Sequence, residues 1–308
     1  MRHAAKYIPM NTIPPLVPAV SGQRLEIACA AGRVSYYVDG SGPPMLLVHS
    51  INAAAAVAEV KPVFDHYKAT HTVFALDLPG YGFSERSDRA YTPALMIDAI
   101  LALLELIEAR CGVRAVDVLG FSLSCEFVAR IAVTHPARVR SLALVSPTGF
   151  SGLKSRRGPT GSTYALSWLH RALTGPGWGR GLFRSLTRPG VIRYFLKKTW
   201  GGTQIDEGLW AYCVLTTQQD GAEHAPLCFL SAQMFSADIH TVYEAVRQPV
   251  WVSHGVRGDF TDYRGLALVQ GKPNWQISVF QTGAIPYFEV PNEYFAASDR
   301  FLAQHTSA

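Results

Sequence analysis

Long uninterrupted apolar runs are missing from this 308-residue sequence, although 48% of its residues are hydrophobic. A helix that crosses a bilayer needs about 20 consecutive, mostly apolar residues. The longest apolar stretch, residues 99–109, is interrupted by Glu105 and Glu108. Four prolines between Pro9 and Pro18 break the N-terminal segment, so the apolar centre of a secretory signal is not formed there. We expect a cytoplasmic protein.

Cysteine is also scarce. The five cysteines are odd in number and show neither a C-x-x-C pair nor another metal-binding spacing. This pattern excludes a small scaffold built on disulfides and predicts no metal site. The glycine patterns G-x-x-x-x-G-K-[ST] and G-x-G-x-x-G are absent as well, so no nucleotide cofactor is indicated.

Short β-rich runs alternate with helical stretches through most of the chain. Strands are predicted at residues 25–29, 33–38, 44–49, 72–76, 115–119, 141–145, 249–253 and 275–280. Helices are predicted from the Ala-rich stretch after the third strand to about residue 67, from 93 to 111, from 124 to 135 and from 291 to 303. Apolar strands that alternate with helices predict a parallel sheet covered on both faces, preceded by one antiparallel pair.

The motif Gly120-Phe121-Ser122-Leu123-Ser124 follows one predicted strand and opens a predicted helix. A nucleophilic serine needs such a sharp strand-to-helix turn to expose its hydroxyl at the carboxyl edge of the sheet. Gly120 allows the close backbone approach, and the N–H groups of the new helix can stabilise an oxyanion. A βα turn without a catalytic role is the alternative interpretation.

Three further segments agree with this interpretation. Residues 77–84 read D-L-P-G-Y-G-F-S, residues 48–50 read V-H-S, and residues 146–147 read S-P after the sixth strand. With these motifs the chain resembles the α/β-hydrolase-fold family from about residue 25 to 302. The first segment matches the family's D-x-P-G-x-G-x-S loop, and the second matches its His-Gly turn, with Ser50 in place of the glycine.

The resemblance implies an α/β fold with a mostly parallel central sheet flanked by helices and a helical cap inserted after the sixth strand. Residues 148–245, where the alternation stops, would form this cap or lid. Residues 25–147 and 246–308 would form the hydrolase core, and residues 1–24 an N-terminal extension.

By the same resemblance Ser122 is the nucleophile, and the backbone N–H groups of Ile51 and Leu123 form the oxyanion hole. The acid of the catalytic triad is expected after the strand at 249–253. Asp259 fits the family's spacing there and Asp262 is the alternative, whereas an unremarkable solvated loop is the competing interpretation.

The position of the base departs from the family pattern. Gly283, Glu289 and Pro291 align with the family's G-H-x-x-x-x-E-x-P, so Ala284 occupies the histidine position and Tyr287 stands three residues further on. Without an imidazole, a serine hydroxyl at its ordinary pKa is a poor nucleophile.

Three explanations remain open. Another histidine, His254 or His49, serves as base, since both stand at carboxyl ends of predicted strands. Alternatively, Tyr287 donates a proton in non-hydrolytic, lyase-like chemistry that does not acylate Ser122. In the third explanation the protein is a catalytically silent, receptor-like binder of a ligand. We expect a hydrolase-like enzyme acting on an apolar ester, lactone or related carbonyl compound, with an incomplete triad.

Acidic residues are absent from the stretch 151–200, which holds ten of the 28 basic residues. The rest of the chain has 18 basic against 23 acidic residues, so the net charge of +5 arises in this part of the cap. Basic and apolar residues mixed at helical spacing indicate either contact with an anionic membrane surface or entry of a small apolar substrate that is itself anionic. A solvated face over a hydrophobic cap core is the alternative. No nucleic-acid-binding motif occurs.

Overall fold

The computed structural model describes residues 13–175 and 178–305, and eight strands in these ranges form one sheet. They are β1 (Gln23–Cys29), β2 (Gly32–Asp39), β3 (Pro44–Val48), β4 (Thr72–Leu76), β5 (Val116–Phe121), β6 (Val139–Val145), β7 (Val250–Gly255) and β8 (Trp275–Phe280). The order across the sheet is β1-β2-β4-β3-β5-β6-β7-β8. β2 pairs antiparallel with β1 and β4, and all other neighbours are parallel, which confirms the predicted mostly parallel sheet.

Helices connect the strands and fill the space between β6 and β7. They are α1 (Lys61–Tyr67), α2 (Pro93–Cys111), α3 (Ser124–Thr134), α4 (Ser167–Thr174), α5 (Gly179–Leu186), α6 (Pro189–Trp200), α7 (Glu207–Thr217), α8 (His224–Leu230), α9 (Ile239–Ala245), α10 (Pro286–Glu289) and α11 (Pro291–Ala303). Short 3-10 helices span Val57–Val60, Pro136–Arg138 and Arg264–Leu268. Among the described residues, none of these helices combines the length and apolar character that a bilayer crossing requires.

Both faces of the sheet are buried, because successive side chains of a strand point to opposite sides. In β3, Leu46 and Val48 belong to the apolar cluster that α2 and α3 cover. Met45 and Leu47 belong to the cluster on the other face, which α1 and α11 cover. This two-sided burial explains why the central strands read as nearly continuous apolar runs.

The ends of α2 follow local sequence signals. The Thr92 hydroxyl accepts a hydrogen bond from the Leu95 N–H at 3.3 Å, and Pro93 occupies the first helical position, where its missing N–H costs nothing. Gly112 ends the helix in the left-handed region at φ 67°, which glycine adopts without strain. The predicted limits of this helix are confirmed.

The Ala-rich segment after β3 differs from its prediction. A helix is predicted directly after the strand, but residues 51–56 are not helical, and the chain first forms the 3-10 turn and then α1. Asn52 accepts a hydrogen bond from the Ala54 N–H at 2.7 Å and donates one to Glu59 at 2.7 Å. These side-chain bonds replace helical backbone bonds, so the local helix propensity of alanine is overridden.

Six described helices, α4–α9, lie between β6 and β7 within residues 148–245. Several contacts join this segment to the sheet domain, and two of them lie far apart on it. The Asp238 carboxylate accepts two bonds from Arg130 of α3 at 2.6 and 3.1 Å, and the Thr199 carbonyl of α6 accepts one from the Ala284 N–H at 2.8 Å. The segment is therefore held against the sheet domain at more than one place.

Strand register brings the functional motifs to one edge. Val48 of β3 lies beside Gly120 of β5, and Phe121 lies beside Val145 of β6. Val145 in turn lies beside Ser253 of β7. Because these strands are parallel, their carboxyl ends and the loops that follow them gather at the same edge of the sheet.

Gly82, in the loop at 77–84, offers a test of the local packing. Its φ is +50°, and a Cβ there would lie 1.9 Å from the Asp77 carboxyl carbon. Gly112 also has positive φ but has no atom within 4 Å of such a Cβ. We expect Gly112→Ala to lower the free energy of unfolding by about 1 kcal/mol from backbone strain alone. Gly82→Ala should lower the free energy of unfolding by about 1–3 kcal/mol more than Gly112→Ala does, because the added methyl group overpacks the site.

Urea denaturation of the two variants and the parent measures this difference. Equal losses of stability in Gly82→Ala and Gly112→Ala would show that the contact with the Asp77 carboxyl group is not what requires glycine at position 82.

Candidate active site

Ser122 lies on a strained turn between β5 and α3. Its φ is 57°, in the left-handed region that non-glycine residues rarely adopt. The turn is held by backbone bonds from the Ser122 N–H to Val145 O at 2.8 Å and from the Cys125 N–H to Ser122 O at 3.1 Å. The half-buried hydroxyl makes no hydrogen bond to any residue of 13–175 and 178–305. Strain of this kind is a feature of functional turns that expose a nucleophile.

The residues on either side of the serine explain how the turn fits. A Cβ at Gly120 would meet the Val128 Cγ2 atom at 2.9 Å, so glycine permits the close approach of α3 to β5. The Ser124 hydroxyl donates a hydrogen bond of 2.5 Å to the carbonyl of His49, at the end of β3. Ser124 thus ties the β5–α3 turn to the loop after β3.

Two backbone amides near Ser122 have no acceptor in the described part of the chain. Leu123 follows Ser122 directly and precedes the first residue of α3, and Ile51 lies in the loop after β3. The pairing of Val48 with Gly120 and the bond from Ser124 to His49 bring these two loops together. Free N–H groups beside a nucleophile are what an oxyanion hole requires.

His49 is held in one orientation by its backbone neighbours. Its Nε2 atom accepts a hydrogen bond from the Leu78 N–H at 3.0 Å, so Nδ1 carries the proton and donates to the Ser50 carbonyl at 2.6 Å. Complete burial lowers the pKa of His49 to about 4, which keeps the ring neutral. Since both ring nitrogens are engaged, this histidine has no free atom with which to accept a proton from Ser122.

Glu59 is a buried carboxylate that the motifs do not reveal. Its side chain accepts hydrogen bonds from the Ser50 N–H and hydroxyl, both at 2.9 Å, and from the Asn52 amide at 2.7 Å. The backbone carbonyl of Glu59 accepts a further bond from the Tyr287 hydroxyl at 2.9 Å. Glu59 therefore holds the loop that contains Ile51 through the two residues that flank Ile51, Ser50 and Asn52. One signal was present: Glu59 is the single charged residue in the apolar stretch 51–60.

Neither candidate acid contacts an imidazole. Asp259 is exposed and forms an ion pair with Lys198 of α6 at 3.2 Å. Asp262 pairs with Arg264 at 2.8 Å and accepts a bond from the Gly152 N–H at 2.9 Å. The guanidinium of Arg264 holds the pKa of Asp262 below its usual range. Both carboxylates lie in the loop after β7, and each forms an ion pair with a cation. Their catalytic assignment stays a prediction.

Ala284, at the expected base position, is buried against the ends of β6 and α6. Its N–H donates to Thr199 O at 2.8 Å, and its carbonyl accepts a bond from the Ser146 hydroxyl at 2.6 Å. Ser146 directly follows β6, the strand whose last carbonyl binds the Ser122 N–H. The loop that carries Ala284 therefore crosses the end of β7 and reaches the neighbourhood of Ser122.

Tyr287 is fully buried beside the same turn. Its ring lies 6.4 Å from that of Phe121 in an edge arrangement. Burial raises the pKa of Tyr287 well above its ordinary value, so the phenol stays protonated and donates to Glu59 O. The tyrosine links the loop after β8 to the loop after β3.

His254 lies in β7, one residue before the end of the strand. Its Nδ1 atom donates to Gly255 O at 2.9 Å, and its ring stacks on Tyr263 with centroids 4.0 Å apart. The Nε2 lone pair has no partner within the residues described, and burial lowers the pKa of the ring. No hydrogen bond joins His254 to Ser122. The ring is nevertheless a neutral imidazole with one free nitrogen at the functional edge.

Two clefts open where the loop between α6 and α7 meets α10. Their volumes are about 560 and 580 Å³, and both are bounded by Asp206 and Phe288. Tyr287 lines the second cleft, whereas Ser122 lines neither of the two. Within the described ranges there is no group of three or more side chains placed to hold a metal ion.

The chain matches the family model described as alpha/beta hydrolase fold over residues 43–195. A 2-hydroxymuconate semialdehyde hydrolase of Pseudomonas putida is 30% identical over 127 residues, which is 41% of this chain and 44% of that protein. The matched region therefore covers less than half the length of that relative.

Two solved structures share the architecture. A serine hydrolase involved in carbazole degradation superposes with a TM-score of 0.67 at 18% identity, covering 92% of this chain and 100% of the other. The enol-lactonase from Burkholderia xenovorans LB400 does so with a TM-score of 0.67 at 16% identity, covering 91% and 100%. At these identities the likeness shows the fold.

Glu59 makes a pH-dependent contribution to the free energy of unfolding, and replacement of Glu59 should reveal it. Burial raises its pKa from 4.5 to about 7, so between these values the folded state holds a proton that the unfolded state releases. The stability due to this group is complete below pH 4.5 and is lost as the pH rises through 7. We expect Glu59→Gln to remove this decline. The free energy of unfolding of the variant relative to the parent should then increase from pH 5 to pH 8.

Urea denaturation at several pH values measures the effect, with Glu293→Gln as the control, since Glu293 is exposed in the first turn of α11. If the free energy of unfolding changed with pH in the same way in the parent and in Glu59→Gln, this result would contradict the raised pKa of Glu59.

Proposed function

Because the chain is an α/β-hydrolase-fold protein, we propose that it is a hydrolase acting on an apolar ester, lactone or related carbonyl compound through Ser122. The proposal is supported by the hydroxyl of Ser122 on its strained turn and the nearby amides of Ile51 and Leu123, which all lack a hydrogen-bond partner in the described part of the chain. A turn that served only to connect β5 to α3 would not require a left-handed serine.

In the proposed reaction the Ser122 Oγ atom attacks the substrate carbonyl carbon. Negative charge then develops on the carbonyl oxygen, and the N–H groups of Ile51 and Leu123 stabilise it. Glu59 has a positioning role, because its bonds to Ser50 and Asn52 hold the loop that presents the Ile51 amide. The positive end of α3 adds to the stabilisation of the oxyanion.

We assign the base to His254, with an incomplete triad. The His254 Nε2 atom is free, and the lowered pKa keeps it unprotonated at neutral pH. Asp259 and Asp262 form ion pairs with Lys198 and Arg264, so neither of these two carboxylates orients this imidazole. A base without an orienting acid activates serine less effectively than a full triad does.

The segment 148–245 is proposed to be the cap over this site. The end of α6 lies against the loop that carries Ala284, as shown by the bond from the Ala284 N–H to Thr199 O. The clefts beside α6, α7 and α10 would then lie at the border between cap and core, where Tyr287 reaches the Ser122 turn. A cap in this position excludes water from a reacting carbonyl group.

The relatives support the substrate class. The Pseudomonas putida protein is a hydrolase of a semialdehyde, and the Burkholderia xenovorans protein is an enol-lactonase. Both names describe chemistry at a carbonyl compound.

Replacement of the nucleophile is the first test. We expect the parent to react with a fluorophosphonate probe and to hydrolyse a p-nitrophenyl ester or an enol lactone, because both reactions need the Ser122 hydroxyl as nucleophile. Ser122→Ala should abolish labelling and turnover. Ser185→Ala, a change of the same kind on the exposed side of α5, should leave both unchanged. Labelling that persists in Ser122→Ala would overturn the assignment of the nucleophile.

A binding protein without catalysis is the second candidate function, and the alanine at position 284 favours it. If it is correct, the parent neither reacts with the probe nor hydrolyses any of the substrates, yet binds an apolar carbonyl compound with a dissociation constant that calorimetry can measure.

The base is tested by two variants. General base catalysis contributes about 10²–10⁴-fold to a rate. We therefore expect His254→Gln to slow probe labelling by about 100-fold, while His135→Gln, on an exposed loop, has no effect. Ala284→His should accelerate labelling, since its loop reaches the Ser122 turn, and Ala284→Asn controls for the added volume.

An unchanged labelling rate in His254→Gln would rule out His254 as the base. Failure of Ala284→His to accelerate labelling, in a variant that unfolds in urea like Ala284→Asn, would show that position 284 does not face Ser122.

A further inference from the structure

The stretch 151–200 carries basic residues that the protein itself leaves unneutralised. Four of its ten cations form ion pairs with carboxylates from later parts of the chain: Arg157 with Glu244, Arg180 with Glu223, Arg193 with Glu207 and Lys198 with Asp259. The other six have no carboxylate at ion-pair distance in the described part of the chain: Lys154, Arg156, Arg171, Arg184, Arg188 and Lys197. Arg171, Arg184 and Lys197 of this group lie on α4, α5 and α6, and Arg188 directly precedes α6, so four uncompensated positive charges lie on or beside these three helices.

Large aromatic side chains are exposed on the same helices. The exposed fractions are 64% for Trp168, 49% for Trp178, 54% for Tyr194 and 51% for Phe195. An apolar ring of this size is normally buried, and several together mark an interaction surface. Leu166, directly before α4, adds an aliphatic side chain that is 42% exposed.

These residues face away from the protein body. The three helices bury their opposite sides through Leu173 of α4, Phe183 of α5, and Ile192 and Trp200 of α6. Consecutive helices also contact one another, α4 with α5 and α5 with α6. The exposed sides of α4–α6 thus form one adjoining surface, which we call the α4–α6 face.

We propose that the α4–α6 face docks on the surface of an anionic lipid bilayer. Tryptophan and tyrosine side chains are suited to the level of the lipid headgroups, where one part of the ring is in an apolar and another in a polar environment. Arginine and lysine at the same level attract anionic lipids. The exposed Leu166 and Phe195 have no polar group and gain from burial at the acyl boundary, which a nucleic acid would not offer them.

Binding of the 308-residue chain to vesicles tests this inference without reference to catalysis. We expect the protein to sediment with vesicles of phosphatidylcholine containing about 30% phosphatidylglycerol and to stay in solution with phosphatidylcholine alone. Raising the ionic strength from about 0.1 M to about 0.5 M should weaken binding, because salt screens the attraction. Ser122→Ala should bind like the parent, so loss of the proposed activity leaves this result unaffected.

Matched charge reversals locate the surface. Arg184→Glu combined with Arg188→Glu should lower the affinity for the anionic vesicles at least tenfold, because two attractive charges become repulsive. Arg110→Glu combined with Arg114→Glu makes the same change in net charge at exposed positions near the end of α2 and should leave most of the binding intact. Trp168→Ser combined with Phe195→Ser should weaken binding without altering the net charge.

Three results would overturn the proposal. They are equal sedimentation with both kinds of vesicle, equal losses in the two charge-reversed proteins, and tighter binding to a single-stranded oligonucleotide than to the anionic vesicles. Urea denaturation of each variant confirms that a loss of binding does not come from unfolding.

Discussion

The hydrogen bond from the Ser124 hydroxyl to the His49 carbonyl joins the two loops on which the candidate site depends. One loop follows β3 and the other follows β5, and the register of these strands makes them neighbours. The bond is buried, so breaking it would leave an unpaired polar atom away from water. Through it, the turn that exposes Ser122 and the amide of Ile51 occupy fixed positions relative to each other.

Buried polar groups complete this arrangement below the surface. His49 is neutral and bonded at both ring nitrogens, while Glu59 accepts three side-chain bonds and one backbone bond. Asp77 accepts bonds from the N–H groups of Val57 and Phe83, and burial raises its pKa to about 6. Such a network is stable only when its members are satisfied, and it therefore specifies one conformation for the loop after β3.

The loop after β8 contains Ala284, the position predicted for the base. Alanine at 284 and tyrosine at 287 make this segment a structural junction. The Ala284 N–H donates a hydrogen bond to Thr199 O of α6, and the Ala284 carbonyl accepts one from the Ser146 hydroxyl at the end of β6. The Tyr287 hydroxyl donates to the carbonyl of Glu59. The proposed chemistry therefore relies on His254, an imidazole held by its own strand and by stacking on Tyr263.

Much of the fold could be predicted because its signals are local. Strand periodicity, the cap of α2 at Thr92 and Gly112, and the glycine and serine pattern around Ser122 each act through near neighbours in the chain. The Ala-rich segment after β3 was predicted wrongly as continuous helix, since the bonds from Asn52 and Glu59 that interrupt it form only after folding. The role of Glu59 cannot be predicted from a motif for the same reason, because the conformation of a loop and not a sequence spacing brings its partners Ser50 and Asn52 to it.

The order of strands and helices, the turn that carries Ser122 and the alanine at position 284 all follow from the amino-acid order. Which charges are neutralised depends on how the chain folds. The fold pairs Asp259 with Lys198 and Asp262 with Arg264, whereas Arg184 and Arg188 have no carboxylate at ion-pair distance among the described residues. The reason is physical: covalent order and local propensity act between neighbours in the chain, whereas ion pairing, burial and exposure depend on distances between residues far apart in sequence, which folding alone sets.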